Sequence, residues 1–138
     1  ELMPMGVGKN ETGLSPDEAL GILKAAWPDL HPVDAHIGSG PAHYYASAEL
    51  AAPIGMIDAV SHRFCASCNR VRVTSRGWLK PCLCFDEGAD LRALLRGGAS
   101  DEELLEAMRL TIYRKPRQHC FDTPQEMTEC RLMSQIGG

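Results

Sequence analysis

FCASCNRVRVTSRGWLKPCLCF, residues 64–85, carries four of the chain's six cysteines, and its reading decides the fold. From Asn69 to Thr74 polar and apolar residues alternate, the period of a strand. Ser75-Arg76-Gly77 is a turn signal, and Trp78 to Leu83 leads back, so the stretch predicts a β-hairpin. Folding at that turn returns Cys82 to the Cys65-x2-Cys68 knuckle, and three sulfurs meet at one end of a two-stranded ribbon. Alternation also sorts the faces: if the strand runs back to Cys68, then Cys68, Arg70 and Arg72 stand on one side and Val71 and Val73 on the other. Two fixed guanidinium groups beside a metal make a receptor for phosphate or another planar anion.

Two chemistries fit this pattern. In one, Cys65, Cys68, Cys82 and Cys84 close a tetrahedral zinc site, and the hairpin is a structural zinc ribbon. Against it, Cys82-x-Cys84 sets both thiols on one strand with little room to chelate, and a closed site has no use for the aligned arginines. In the other, three cysteines leave a coordination position open, as in an iron–sulfur cluster with one iron free for substrate.

The chain has 138 residues, 44% hydrophobic and 23% charged, the proportions of one soluble globular domain. Its net charge of −4 excludes a general bias toward nucleic acid or anionic membrane, so any anion-binding surface is local. The longest weakly polar run, Leu50 to Ile57, is far shorter than the roughly 20 residues a membrane-spanning helix needs. No secretory leader is legible. The cysteines therefore read as metal ligands or free thiols of a cytoplasmic protein, not as three disulfides. The opening ELMPMG reads as a strand cut off within a longer protein.

Glu1 to Met5 is expected as a short buried strand, followed by a glycine-rich loop over 6–13. Ser15-Pro16-Asp17-Glu18 is a capping box that opens a helix through Leu20, Leu23 and Trp27, and Pro28 stops it. Strands are expected at Val33–Ile37, Tyr44–Ala48 and Ile54–Val60. After the hairpin, Asp90 precedes a helix that ends at Gly97-Gly98, and Ser100 to Glu103 opens another with Leu104, Met108 and Ile112 on one face. Lys115-Pro116 closes that helix, and residues 117–138 show little periodicity. The expected segments are 1–13, 14–60 (helix and sheet), 61–85 (cysteine hairpin), 86–116 (helical) and 117–138 (tail). Together they form a single α+β domain with about three helices, or the tail of an α/β fold.

SHRFCASCNRVRVTSRGWLKPCL, residues 61–83, resembles the signature of the C-terminal part of the GTP 3′,8-cyclase family. These are the radical SAM enzymes that open molybdenum cofactor biosynthesis. ELMPMG, GSGPAHYY at 38–45, LRALLRGGASDEELLEAM and the terminal MSQIGG extend the resemblance over essentially the whole chain. It implies the C-terminal fragment of an incomplete (β/α) barrel enzyme, with 1–13 a remnant barrel strand and loop. It also implies a [4Fe–4S] cluster on Cys65, Cys68 and Cys82, whose open iron meets the guanine of GTP. Asn69, Arg70 and Arg72 map to substrate binding, with the two arginines also supporting cyclisation. Gly137-Gly138 maps to a tail that enters the active site. The implied partners are GTP, an N-terminal radical SAM half and a second copy in a homodimer, with no membrane or nucleic acid. The family's C-x3-C-x2-C site for a second cluster and S-adenosylmethionine does not occur here, so the chain alone is expected to be inactive. Cys84 departs from the family pattern and keeps zinc open as the alternative metal.

Cys120 and Cys130 read as free thiols. His62 reads as a hydrogen-bonding neighbour of the metal site more than a ligand. His31, His36, His43 and His119 read as structural or exposed. Gly6-Val7-Gly8 reads as a plain loop, with Lys9 a candidate neighbour of the substrate triphosphate. The LRALLRGG helix reads as core packing.

Overall fold

A computed structural model describes residues 1–35 and 37–136. The chain divides into two compact units, residues 1–3 with 11–64, and 4–10 with 65 onward. In the first unit, α1 spans Pro16–Ala26 and starts as its sequence dictates. Ser15 Oγ accepts the Glu18 N–H at 3.2 Å, while the Glu18 carboxylate accepts the Ser15 N–H at 2.9 Å. Both bonds satisfy donors that the first helical turn would otherwise leave open. Three short strands follow, β1 (His31–Val33), β2 (His43–Ala46) and β3 (Ile54–Met56), antiparallel in the order β1-β2-β3. The register pairs His31 with Ala46 and His43 with Met56. β2 and β3 are shorter than expected, β1 shares only Val33 with the strand expected at Val33–Ile37, and His36 lies outside the described residues. The Asp29 carboxylate anchors the turn before β1 by accepting the Ser47 hydroxyl at 2.6 Å and the Ala48 N–H at 2.8 Å.

Glu1–Met5, expected as a barrel strand, pairs with no strand among the described residues. The Glu1 carboxylate instead accepts the N–H groups of Val60 and Ser61 at 2.8 and 2.9 Å. Pro4 has no N–H to give a ladder.

The second unit holds β4 (Arg72–Val73), β5 (Trp78–Lys80) and β6 (Ala89–Asp90), antiparallel with β5 in the centre. The β4–β5 turn is the expected one. The Thr74 N–H donates to Trp78 O at 2.9 Å, and Gly77 sits at φ +77°, a conformation glycine adopts without steric cost. α2 (Leu91–Arg96) is capped by Asp90, whose carboxylate accepts the Ala93 N–H at 2.8 Å. α3 (Asp101–Tyr113) opens on a second capping box, Ser100 with Glu103. Both helices pack on β5.

The inward stripe of α3 runs through Leu104, Ala107, Met108 and Thr111, while Ile112, expected on that face, is largely exposed. Thr111 is buried without an unmet donor because its Oγ1 donates to Ala107 O at 2.7 Å. Among the described residues, the regular elements of the C-terminal segment are two 3-10 turns, Pro124–Glu126 and Met133–Gln135. It nonetheless supplies three buried residues, Cys120, Phe121 and Ile136, and the Cys120 N–H donates to the buried Cys84 Sγ.

Candidate functional site

The hairpin register pairs Arg72 with Lys80 and Val73 with Leu79. Residues directly opposite share a face, so Arg72 stands on the Lys80 side and Val73 on the Leu79 side, where Val73 is half-exposed although Leu79 is buried. One more ladder step would pair Arg70 with Cys82, but β4 begins at Arg72. Alternation therefore does not run back to Cys68 as expected, and Asn69 and Arg70 occupy an exposed link between knuckle and hairpin. Arg72 is half-buried.

Cys65–Ser67 is a single 3-10 turn, closed by the Cys68 N–H on Cys65 O at 3.2 Å. Cys65, Cys68 and Cys82 are all half-buried free thiols. Each has its own donor from this chain. Cys65 Sγ accepts the His119 N–H at 3.3 Å. Cys68 Sγ accepts Lys115 Nζ, also at 3.3 Å. Cys82 is pulled down to about 6 by a hydrogen bond from the Cys84 thiol, against burial, with help from the N–H groups of Cys84 and Leu83 and the Lys115 charge.

Cys84 does not extend this set outward. It is fully buried, its thiol is pushed up by its hydrogen bond to Cys82 and by burial, and its Sγ accepts the Cys120 N–H at 3.4 Å. Burial also raises the Cys120 thiol. Cys130 is exposed.

Sulfurs supplied with N–H donors and a nearby ammonium fit, in donor chemistry, the thiolate ligands of a soft metal. Among the described residues, no group of three or more His, Cys, Asp or Glu side chains is gathered to hold an ion.

Three features of the site escaped the sequence reading. Lys115 follows α3 and continues its inward stripe one turn beyond Thr111; extending the 3.6-residue period past the helix end was the available signal. His119, expected as structural or exposed, is buried, and its ring packs on Phe121 at 4.5 Å between centroids. Its Nδ1 accepts the Phe121 N–H at 3.2 Å, which leaves Nε2 buried without a hydrogen-bond partner. On the hairpin itself, Lys80 of β5 and Glu129 form a fully buried ion pair, completed by Arg131 Nε and Nη2 at 2.8 and 2.7 Å from the carboxylate. Nothing in single-residue polarity announces such a pair. His62, in the first unit, pairs with Asp58 at 3.2 Å. Gly137 and Gly138 lie outside the described residues.

The family profile described as Molybdenum Cofactor Synthesis C matches residues 1–121. The chain belongs to the molybdenum cofactor synthesis C family. The family match runs from the first residue through the knuckle, the hairpin and α3, and it includes Lys115 and His119. Among similar curated proteins, GTP 3′,8-cyclase of Clostridium perfringens is 41% identical over all of this chain and 43% of its own length. That of Paracoccus denitrificans is 42% identical over all of this chain and 42% of its length. That of Desulforamulus reducens is 46% identical over 73% of this chain and 30% of its length. This molybdenum cofactor synthesis C chain thus spans less than half the length of the curated relatives it matches. Among the described residues, no helix is long and apolar enough to cross a membrane.

Proposed function

We propose that this chain is the substrate-side portion of a GTP 3′,8-cyclase, holding a [4Fe–4S] cluster through Cys65, Cys68 and Cys82. The observation that carries the reading is that these three thiols, in one compact unit, each receive a separate hydrogen bond or cationic donor. When bound, such a cluster supplies an iron with an open position for the guanine of GTP. The chain's own part is orientation and charge. Arg72, half-buried on the hairpin, and Arg70, on the exposed link, carry the guanidinium groups for an anionic substrate. Two cations so placed hold the anionic substrate in the orientation that ring closure needs. Asn69 adds an amide donor and acceptor on the same link. The Gly137-Gly138 end is suited by its lack of side chains to a crowded cavity. Radical generation from S-adenosylmethionine belongs to an N-terminal half, and the whole protein is a homodimer in this reading.

The zinc-ribbon alternative needs Cys84 as the fourth ligand. Its thiol donates to Cys82, and that bond together with burial pushes it away from the thiolate form that zinc needs, which counts against that role.

Anaerobic reconstitution of the chain with iron and sulfide tests the proposal. The expected product has the absorption of a [4Fe–4S] cluster and, after one-electron reduction with dithionite, a paramagnetic spectrum that changes on adding GTP. Stoichiometric zinc with no uptake of iron would overturn it.

A further inference from the structure

The link that joins the knuckle to the hairpin lies outside β4, yet it is not held only by its ends. Lys115 Nζ donates to Cys68 O at 3.0 Å, to Cys68 Sγ at 3.3 Å and to Arg70 O at 2.6 Å. An ammonium has three donors, and these contacts use all of them. Arg70 O is the carbonyl that the next ladder step would have paired with the Cys82 N–H, given Arg72 opposite Lys80. The lysine thus stands where strand pairing stops. Its charge also reaches Cys82, so one side chain acts on two of the three thiols and on the backbone of one arginine.

We infer that Lys115 is the positioning residue of the three-thiol site, fixing Cys68 and Arg70 relative to each other, an assignment that rests on the function proposed above. A lysine with its donors spent on protein acceptors does not bind substrate directly. It sets where Cys68 Sγ sits and from which point the Arg70 side chain starts. The position accounts for both tasks. Lys115 lies in the turn that closes α3, where its own N–H donates to Ile112 O at 3.1 Å, so the packing of α3 on β5 fixes its base. Arginine, with a planar fork, cannot aim three donors at acceptors converging on one atom.

The test compares the parent chain with Lys115→Met and Lys115→Arg by hydrogen–deuterium exchange without metal and by redox titration after cluster reconstitution. Far-ultraviolet circular dichroism and thermal unfolding establish that each variant is folded. In Lys115→Met, exchange over 68–72 is expected to rise by about tenfold or more, with the α2 and α3 amides unchanged, since hydrogen bonds to a charged group are lost locally. The reconstituted cluster is expected to shift to a more negative potential, because a cation near the sulfurs favours the reduced form. Lys115→Arg is expected to keep most of the potential and lose most of the protection. Unchanged exchange at 68–72, a rise spread evenly over the second unit, or an unchanged potential each overturns the assignment. A parent chain that takes up no cluster refutes the proposed function instead, and the exchange comparison then decides Lys115 alone.

Discussion

Glu129 offers a perturbation whose size follows from the structure. The residue is 2% exposed, and burial alone would push its carboxyl up. Hydrogen bonds from Arg131 and then Lys80 outweigh that burial and hold it at about 2, against an ordinary 4.5. A carboxyl depressed in the folded state stabilises the fold at every pH above its unfolded value. That contribution is lost as the pH falls from about 4.5 toward about 2. The difference is worth on the order of 3 kcal/mol, a large share of the roughly 5–15 kcal/mol of a typical domain. The assay is denaturant unfolding of the parent and Glu129→Gln at several pH values from about 7 down to about 2. At neutral pH the variant strands the Lys80 ammonium in the core and should lose roughly 3–5 kcal/mol. As the pH falls the parent should decline more steeply by about 3 kcal/mol, because other carboxyls titrate equally in both proteins. Parallel curves would refute the argument. A Lys80→Met/Glu129→Leu double variant adds a second check, since removing both charges should cost far less than removing one.

Three further outcomes are expected. Ser100→Ala removes the hydroxyl that accepts the Glu103 N–H at 3.2 Å and should lower stability by about 1 kcal/mol, seen as a lower thermal midpoint. Gly77→Ala places a methyl 2.7 Å from Arg92 Cβ on a backbone at φ +77°; it should cost more than about 1 kcal/mol and loosen the hairpin, measurable by amide exchange at Thr74 and Trp78. Cys84→Ala should destabilise the core by about 1 kcal/mol or more yet leave the iron bound per chain unchanged after reconstitution, whereas a four-cysteine zinc site predicts loss of its metal.

The sequence made local structure legible wherever a local rule governs it. Ser15 with Glu18 and Ser100 with Glu103 start their helices at the expected residues, because a capping box is complete within four positions. The Ser75-Arg76-Gly77 turn was equally readable, since a positive φ at its glycine is a steric demand. The length of the strands was not, because it depends on which neighbour is available to pair. The α+β class and the stretch bearing Cys65, Cys68 and Cys82 could be read directly. What surrounds those thiols came from residues distant in the chain: the N–H of His119, the ammonium of Lys115 and the thiol of Cys84. The segment from Arg117 onward looked featureless because its buried residues follow no helical or strand period. Phe121 and Ile136 reach the core from loops and 3-10 turns.

The inward stripe of α3 has a consequence for how the chain tolerates insertions. Successive residues on a helix advance by about 100°, so the angle at which Lys115 leaves the end of α3 depends on the count of residues back to Ser100. Deleting one residue from the exposed side of that helix would leave Cys65, Cys68, Cys82, Arg70 and Arg72 in place, and the capping box intact. It would nevertheless swing the ammonium a quarter-turn or more away from Cys68. Helix length therefore behaves here as a setting of rotational phase, and a change made more than two turns from any thiol can be read out at the sulfur.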